Sequence, residues 1–327
     1  MLVCKDNLFF SINAFGKAIF YYLCVVTITS TVEKSIYAIM RIFLSLILLS
    51  ISALCSSAQL LYKISGNDLP RPSYVFGTHH GAPLSILDSI PSLADCFDSS
   101  QVVIGEVDLT SLQPDLLMQM AGIMKAQDGE RLSQLVSREE YNKMGTSFFD
   151  LTGMHLESFE DVKPMVISNL LSAILLKEEF PETDSATQLD KTFQLRGIYD
   201  GKSVIGLETA TQQAVMLFEG IPAADQAQNL KEELSDIEGL RSQLHSLNKA
   251  YFNQDIESLL RLSQEDREES EFMKKLIDDR NQTWADILPG LMQSNSCFIA
   301  VGALHLPGAS GLLKILEEKG YAISPIK

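Results

Sequence analysis

Two apolar runs that each break on Gly-x-x-His constrain this chain most. The first lies in SYVFGTHHGAP, residues 73–83, and the second in SCFIAVGALHLPGASG, residues 296–311. A short, nearly continuous apolar run stopped by glycine reads as a strand buried on both faces. The runs SQVVIGEVDL at 100–109 and KSVIGLET at 202–209 have the same form. Between them, residues 110–195 and 210–289 place apolar side chains at three- and four-residue steps, the helical period. The opening AQLLYKISG alternates, and the turn GNDLPRPS feeds strand 73–78, predicting a β-hairpin. A helix is predicted over 84–92 and another over 311–319, with YAISPI as a last strand. Short strands interrupted by long helical segments predict an α/β (α+β) fold, one mixed sheet with long helical insertions.

The net charge of −16 argues against nucleic-acid binding through a basic surface. Residues 42–55, IFLSLILLSISALC, form an apolar run after Met40-Arg41 and before SSAQ. That order is a secretory signal peptide over 40–58, with cleavage after Ala58. A lipoprotein signal at Cys55 fits less well, because bulky Leu54 stands where a small residue is wanted. Residues 1–39 read as an over-extended N-terminus, or alternatively as an uncleaved anchor. The expected mature chain, 59–327, is one domain, exported to the periplasm or beyond, with no membrane attachment unless lipidated or anchored. It keeps Cys96 and Cys297, which an oxidising compartment would allow to pair and burial would keep as free thiols.

Polar residues that burial alone would not select stand at four strand ends: His80, Glu106, Glu208 and His305. Each follows a glycine closely: Gly77, Gly105, Gly206 and Gly302. Ends gathered at one edge of a sheet are a common location for sites. Two neutral imidazoles and two carboxylates are a donor set for a divalent transition metal such as zinc, manganese or cobalt. Taken singly, a strand-end His is more often a satisfied polar residue, and a strand-end Glu a cap or ion-pair partner. His80 rather than His79 fits the Gly-x-x-His spacing, which leaves His79 as a supporting or merely exposed residue. His155 and His245 lie in helical stretches and read as surface or packing residues. Asp108 could orient a ligand or be solvated. Arg280 reads either as an oxyanion or substrate-carboxylate partner or as a surface ion pair with Asp278 or Asp279. Neither a nucleophile elbow nor a phosphate loop is evident.

The segments SYVFGTHHGAP, VVIGEVDLTSL, LDKTFQLRGIYDGKSVIGLETATQQ, LIDDRNQTWADIL and FIAVGALHLPGASGLLKILEEKGYAI resemble, in order and style, the TraB/GumN family, which includes TIKI-type metalloproteases. The likeness spans about 59–327. It implies an outline shared with erythromycin-esterase-like and haem-binding ChaN-like folds. It also implies a metal-dependent hydrolase acting on a peptide or small-molecule substrate. His80, His305, Glu106 and Glu208 match the family's ligand positions, and Arg280-Asn281 matches its RN pair. Either glutamate would serve as ligand or as general base. The usual EQ after GLET is Gln212-Gln213 here. A non-catalytic protein binding metal, haem or a peptide signal on the same fold is the alternative.

Overall fold

The computed structural model describes residues 59–326 apart from 112, 183–187 and 265–270. The signal peptide and residues 1–39 lie outside the described residues. Within the unit Ala58–Lys327, six strands form one sheet: β1 (Leu61–Gly66), β2 (Ser73–Thr78), β3 (Val102–Val107), β4 (Ser203–Glu208), β5 (Cys297–Gly302) and β6 (Tyr321–Pro325). Their order is β4-β3-β5-β2-β1-β6. β4, β3, β5 and β2 run parallel, while β1 is antiparallel to β2 and to β6. The mixed α/β sheet with helical insertions is therefore as the sequence predicts, as is the opening hairpin.

Parallel strands must be joined by long crossovers, and buried strands need apolar side chains on both faces. Both conditions are met. β5 is buried along Cys297–Val301, and the core gathers Phe76, Val103, Ile104, Phe298 and Ile299 with Phe97, Phe193 and Trp284 from the covering helices. The long insertions build a second apolar cluster, in which Phe148, Leu156, Ile167 and Leu171 meet Leu230 and Leu234. Local signals set its helix ends. Pro164 opens the Pro164–Glu179 helix, where its missing N–H costs nothing. Ser137 and Glu140 form a capping box at Arg138–Thr152, which Gly153 ends with φ 70°.

One predicted element is different. Residues 84–92 are not an α-helix but a 3₁₀ stretch, Leu84–Ser89, followed by an α-helix at Leu93–Ser99. Pro91 disfavours helical backbone at Ile90, and Leu84, Leu87 and Ile90 recur at three residues, the 3₁₀ repeat. Cys96 and Cys297 are both buried free thiols, raised to about 11 by burial. No helix among the described residues is long and apolar enough to cross a membrane.

Candidate functional site

Four adjacent parallel strands end along one edge, so the ends of β4, β3, β5 and β2 carry Glu208, Glu106, the Gly302–His305 turn and Thr78–His80 side by side. The two Gly-x-x-His units do different work there. After Gly302 the chain turns at once into a 3₁₀ turn, Ala303–His305, which buries His305. Gly77 makes room for that turn: a Cβ on it would meet Leu306 Cδ1 at 2.9 Å and the Ala303 Cα at 3.0 Å. Gly302 lets a carboxylate approach, and its N–H donates to Glu106 Oε1 at 2.8 Å.

The centre of the site is Arg280. A π-turn at Lys274–Asp278 leads into the Asp279–Ser294 helix, whose Trp284, Ala285, Leu288 and Met292 are anchored in the core. Widened turns of this kind are frequent at functional sites. Arg280 is 7% exposed, and all five guanidinium N–H groups are used. Nε donates to Glu208 Oε2 at 3.1 Å, and Nη2 to Glu208 Oε1 and to Glu106 Oε2, both at 2.5 Å. Nη1 donates to the Leu276 carbonyl at 3.0 Å and faces His305 Nε2 at 3.0 Å. The Trp284 ring lies 4.5 Å below the guanidinium carbon and 4.4 Å from the His305 ring, closing the cluster with an apolar plate.

Asn281, the next residue, fixes His305. Its Oδ1 lies 2.8 Å from His305 Nδ1, while its Nδ2 donates to the carbonyls of His305 and Ser310. Because the amide nitrogen is committed to carbonyls, Oδ1 accepts and His305 carries its proton on Nδ1. The Nε2 lone pair then faces Arg280 and Glu106 Oε1, the latter 3.7 Å away. Burial pushes His305 down to about 4, so it is neutral at ordinary pH.

Environment separates the two carboxylates. Burial raises the Glu106 carboxyl, but His305, Arg280, the Gly302 amide and His80, in that order, outweigh it and hold the group at about 2. Glu208 is raised instead, by burial first and then by its neighbour Glu106, despite its bonds to Arg280. Gln213 bridges the pair, its Nε2 donating to Glu106 Oε2 at 3.0 Å and to Glu208 Oε1 at 3.1 Å. Gln212 is spent on a capping box with Thr209.

His80 stands apart from this contact network. Its side chain is 66% exposed, and Nδ1 lies 3.1 Å from Asp190 Oδ2. The Asp190 carboxylate beside it raises His80 to about 9, and Glu106 adds to the effect. His79 accepts from the Gly81 N–H through Nδ1 at 3.0 Å and packs on Tyr251, with ring centroids 5.1 Å apart. Burial first, then His80, lowers His79 to about 4.

The structure thus joins Glu106, Glu208, His305 and Arg280 in one contact network and leaves His80 at its margin. Arg280 is not a surface ion pair with Asp278 or Asp279, because it is buried and pairs with Glu106 and Glu208. His155 stacks on Phe149 and His245 pairs with Glu179, both at the surface. Asp108 accepts from Thr110 in a local turn. Sequence reasoning missed Asp190, Gln213 and Trp284 as site residues. The QQ that follows GLET was the available signal for Gln213. The donor set suits a divalent cation by type: one imidazole lone pair and two carboxylates converge on a single cation. That cation is the guanidinium, and the acceptors are spread around it. Among the described residues, no three of His, Cys, Asp or Glu stand as a ready-made metal cluster.

Fold and site together define an α/β protein with a buried Arg–Glu–His cluster at the carboxyl edge of a parallel sheet. The chain belongs to the TraB/PrgY/gumN family, whose model matches residues 60–325. It is 25% identical over 304 residues to the metalloprotease TIKI2 of Danio rerio, an alignment covering 77% of this chain and 58% of that protein. The chain therefore spans little more than half the length of that curated relative. No solved structure matches.

Proposed function

We propose that this chain is an exported, metal-dependent hydrolase acting on peptide bonds, with its site at the Arg280 cluster. One observation carries the reading: two carboxylates and a neutral imidazole lone pair converge on one cation at the carboxyl edge of the sheet. Membership of a family that holds a metalloprotease supports it. Of the four candidate ligands, His305 through Nε2, Glu106 and His80 are the residues that would hold a divalent metal, whose chemistry is to polarise a carbonyl and acidify water, and Glu208 would stand beside it.

The chain's own groups divide the remaining work. Glu106, kept ionised, is the permanent anion of the site. Glu208, raised toward protonation, is the carboxylate suited to take and return a proton. Asn281 keeps the His305 proton on Nδ1 so that Nε2 stays available. Arg280 balances the carboxylates at rest and is the group placed to meet negative charge developing on a carbonyl oxygen. Trp284 covers the cluster and keeps water from one side.

The complete use of the five Arg280 donors favours a second reading, a binding protein whose site is closed and performs no turnover. A peptide library separates the two. Cleavage that disappears with a chelator and returns with zinc, manganese or cobalt supports the hydrolase. Metal-loaded protein that cleaves no peptide or ester leaves the binding protein as the better account.

A further inference from the structure

Gln194 is a buried amide that the proposed chemistry does not use. It lies on the Leu189–Tyr199 helix, 1% exposed, against the end of β3. Pairing of β3 with β5 ends at Gly105 and Ala300, while pairing with β4 runs on to Val107 and Glu208. β3 therefore parts from β5 at Glu106. Two side chains take over where that ladder stops. Glu106 Oε1 accepts the Gly302 N–H of β5 at 2.8 Å. Gln194 grips the chain just beyond Glu106: its Nε2 donates to the Val107 carbonyl at 2.9 Å, and its Oε1 accepts the Leu109 N–H at 2.8 Å. Successive side chains on a strand point to opposite faces. A Cβ on Gly105 would meet Gln194 Nε2 at 2.3 Å, so the amide backs β3 on the face away from the Glu106 carboxylate. The glycine before Glu106 is the seat of that amide.

We propose that Gln194 is a positioning residue that fixes the parting of β3 from β5 and so sets the Glu106 carboxylate between Gly302 and Arg280. The proposal rests on Glu106 belonging to the site described above. Gln194 acts through the backbone on either side of that residue. An amide suits the task because it donates and accepts at once, and Val107 and Leu109 offer it one carbonyl and one N–H. In this it stands in for a neighbouring strand, which buried backbone that has left its ladder requires. An apolar side chain of equal volume would fill the space without holding the bend. Glu106 would then drift from Arg280 Nη2, which it meets through Oε2. Gln226 is the natural comparison. It is equally buried and makes three such bonds, to the Phe218 and Ile221 carbonyls and the Met165 N–H, none of them on a strand.

The Gly302 amide proton reports the position of Glu106, because a carboxylate is a stronger acceptor than a neutral group and draws the signal downfield. Val301-Gly302 is the one Val-Gly pair in the chain, so carbonyl carbon-13 valine with nitrogen-15 glycine selects that N–H by NMR. Glu106→Gln should move the signal upfield and so mark the bond. Gln194→Met keeps the volume, loses both polar contacts and should move Gly302 the same way. Gly105→Ala, whose Cβ would displace the amide, should do so too if Gln194→Met does not fold. Gln226→Met removes an equally buried amide and should leave Gly302 in place. Hydrolysis of the peptide found in the library above is the second readout, expected to fall by up to about 100-fold through kcat in Gln194→Met, with KM little changed. An unmoved Gly302 signal in either folded variant overturns the proposal. So does a shift of the same size in Gln226→Met, or a moved signal with wild-type kcat. Wild-type protein that cleaves no peptide would refute the hydrolase reading, and the Gly302 shift would still decide the role of Gln194.

Discussion

Replacing Arg280 by methionine removes the positive charge while keeping much of the side-chain volume. Glu106 and Glu208 have side chains 11% and 9% exposed, so neither regains full hydration. Breaking a buried ion pair by deleting one partner costs about 3–5 kcal/mol, and here two carboxylates lose the same partner. Glu106 keeps the Gly302 amide, and both keep Gln213, which holds the loss within that range. At about 2–4 °C per kcal/mol for a domain of this size, the midpoint should fall by about 6–20 °C at neutral pH. The pH dependence identifies the cause. In the wild type, Glu106 is held at about 2, below its unfolded value, so its stabilisation is present above the ordinary Glu range and lost as pH falls toward 2. Glu208, being raised, works in the opposite direction and blunts that slope. In Arg280→Met both carboxyls are raised above their unfolded values, and stability should be lost as pH rises through 5 to 7. Urea unfolding at pH 4.5, 6 and 7.5 reads both effects. A loss under about 1 kcal/mol, or a variant that weakens toward acid as the wild type does, would refute the buried-cluster argument.

Glu106→Gln and Glu208→Gln should separate: the first lowers metal occupancy and hydrolysis together, while the second keeps metal and loses hydrolysis, as read by metal analysis and peptide cleavage on the same samples. Gly77→Ala should destabilise by about 1–3 kcal/mol, because its Cβ would press on the backbone of the turn that carries His305; thermal unfolding checks it, with Gly122→Ala, which meets open space, as the control. Mass spectrometry of protein recovered after export should find Gln59 at the N-terminus, and an intact residue 1 would sink the processing step.

The strand ends were legible in the sequence because glycine followed by a lone polar residue is a poor way to continue a buried strand. Glu106, Glu208 and His305 met for that reason, through parallel strand order rather than through any spacing along the chain. Arg280 was legible as a family position but not as the hub. It lies on a helix, 72 residues from Glu208 and 174 from Glu106, and nothing local says that its five donors find partners. Asp190 was hidden for a different reason. An acidic residue in the first turn of a helix has an ordinary explanation in the helix dipole, so its reach to His80 leaves no trace in sequence. The misread stretch at 84–92 failed on period, since leucines three apart serve a 3₁₀ turn as well as an α-helix.

The π-turn at Lys274–Asp278 ties the charge state of the cluster to the backbone. One Arg280 donor ends on the Leu276 carbonyl inside that wide turn, while the helix beyond is pinned by Trp284 and Leu288. A metal ion entering the cluster would have to displace the guanidinium and so break its bond to the Leu276 carbonyl. Amide exchange in the Lys274–Asp278 segment, compared with and without added zinc, is then expected to report whether the cluster is occupied.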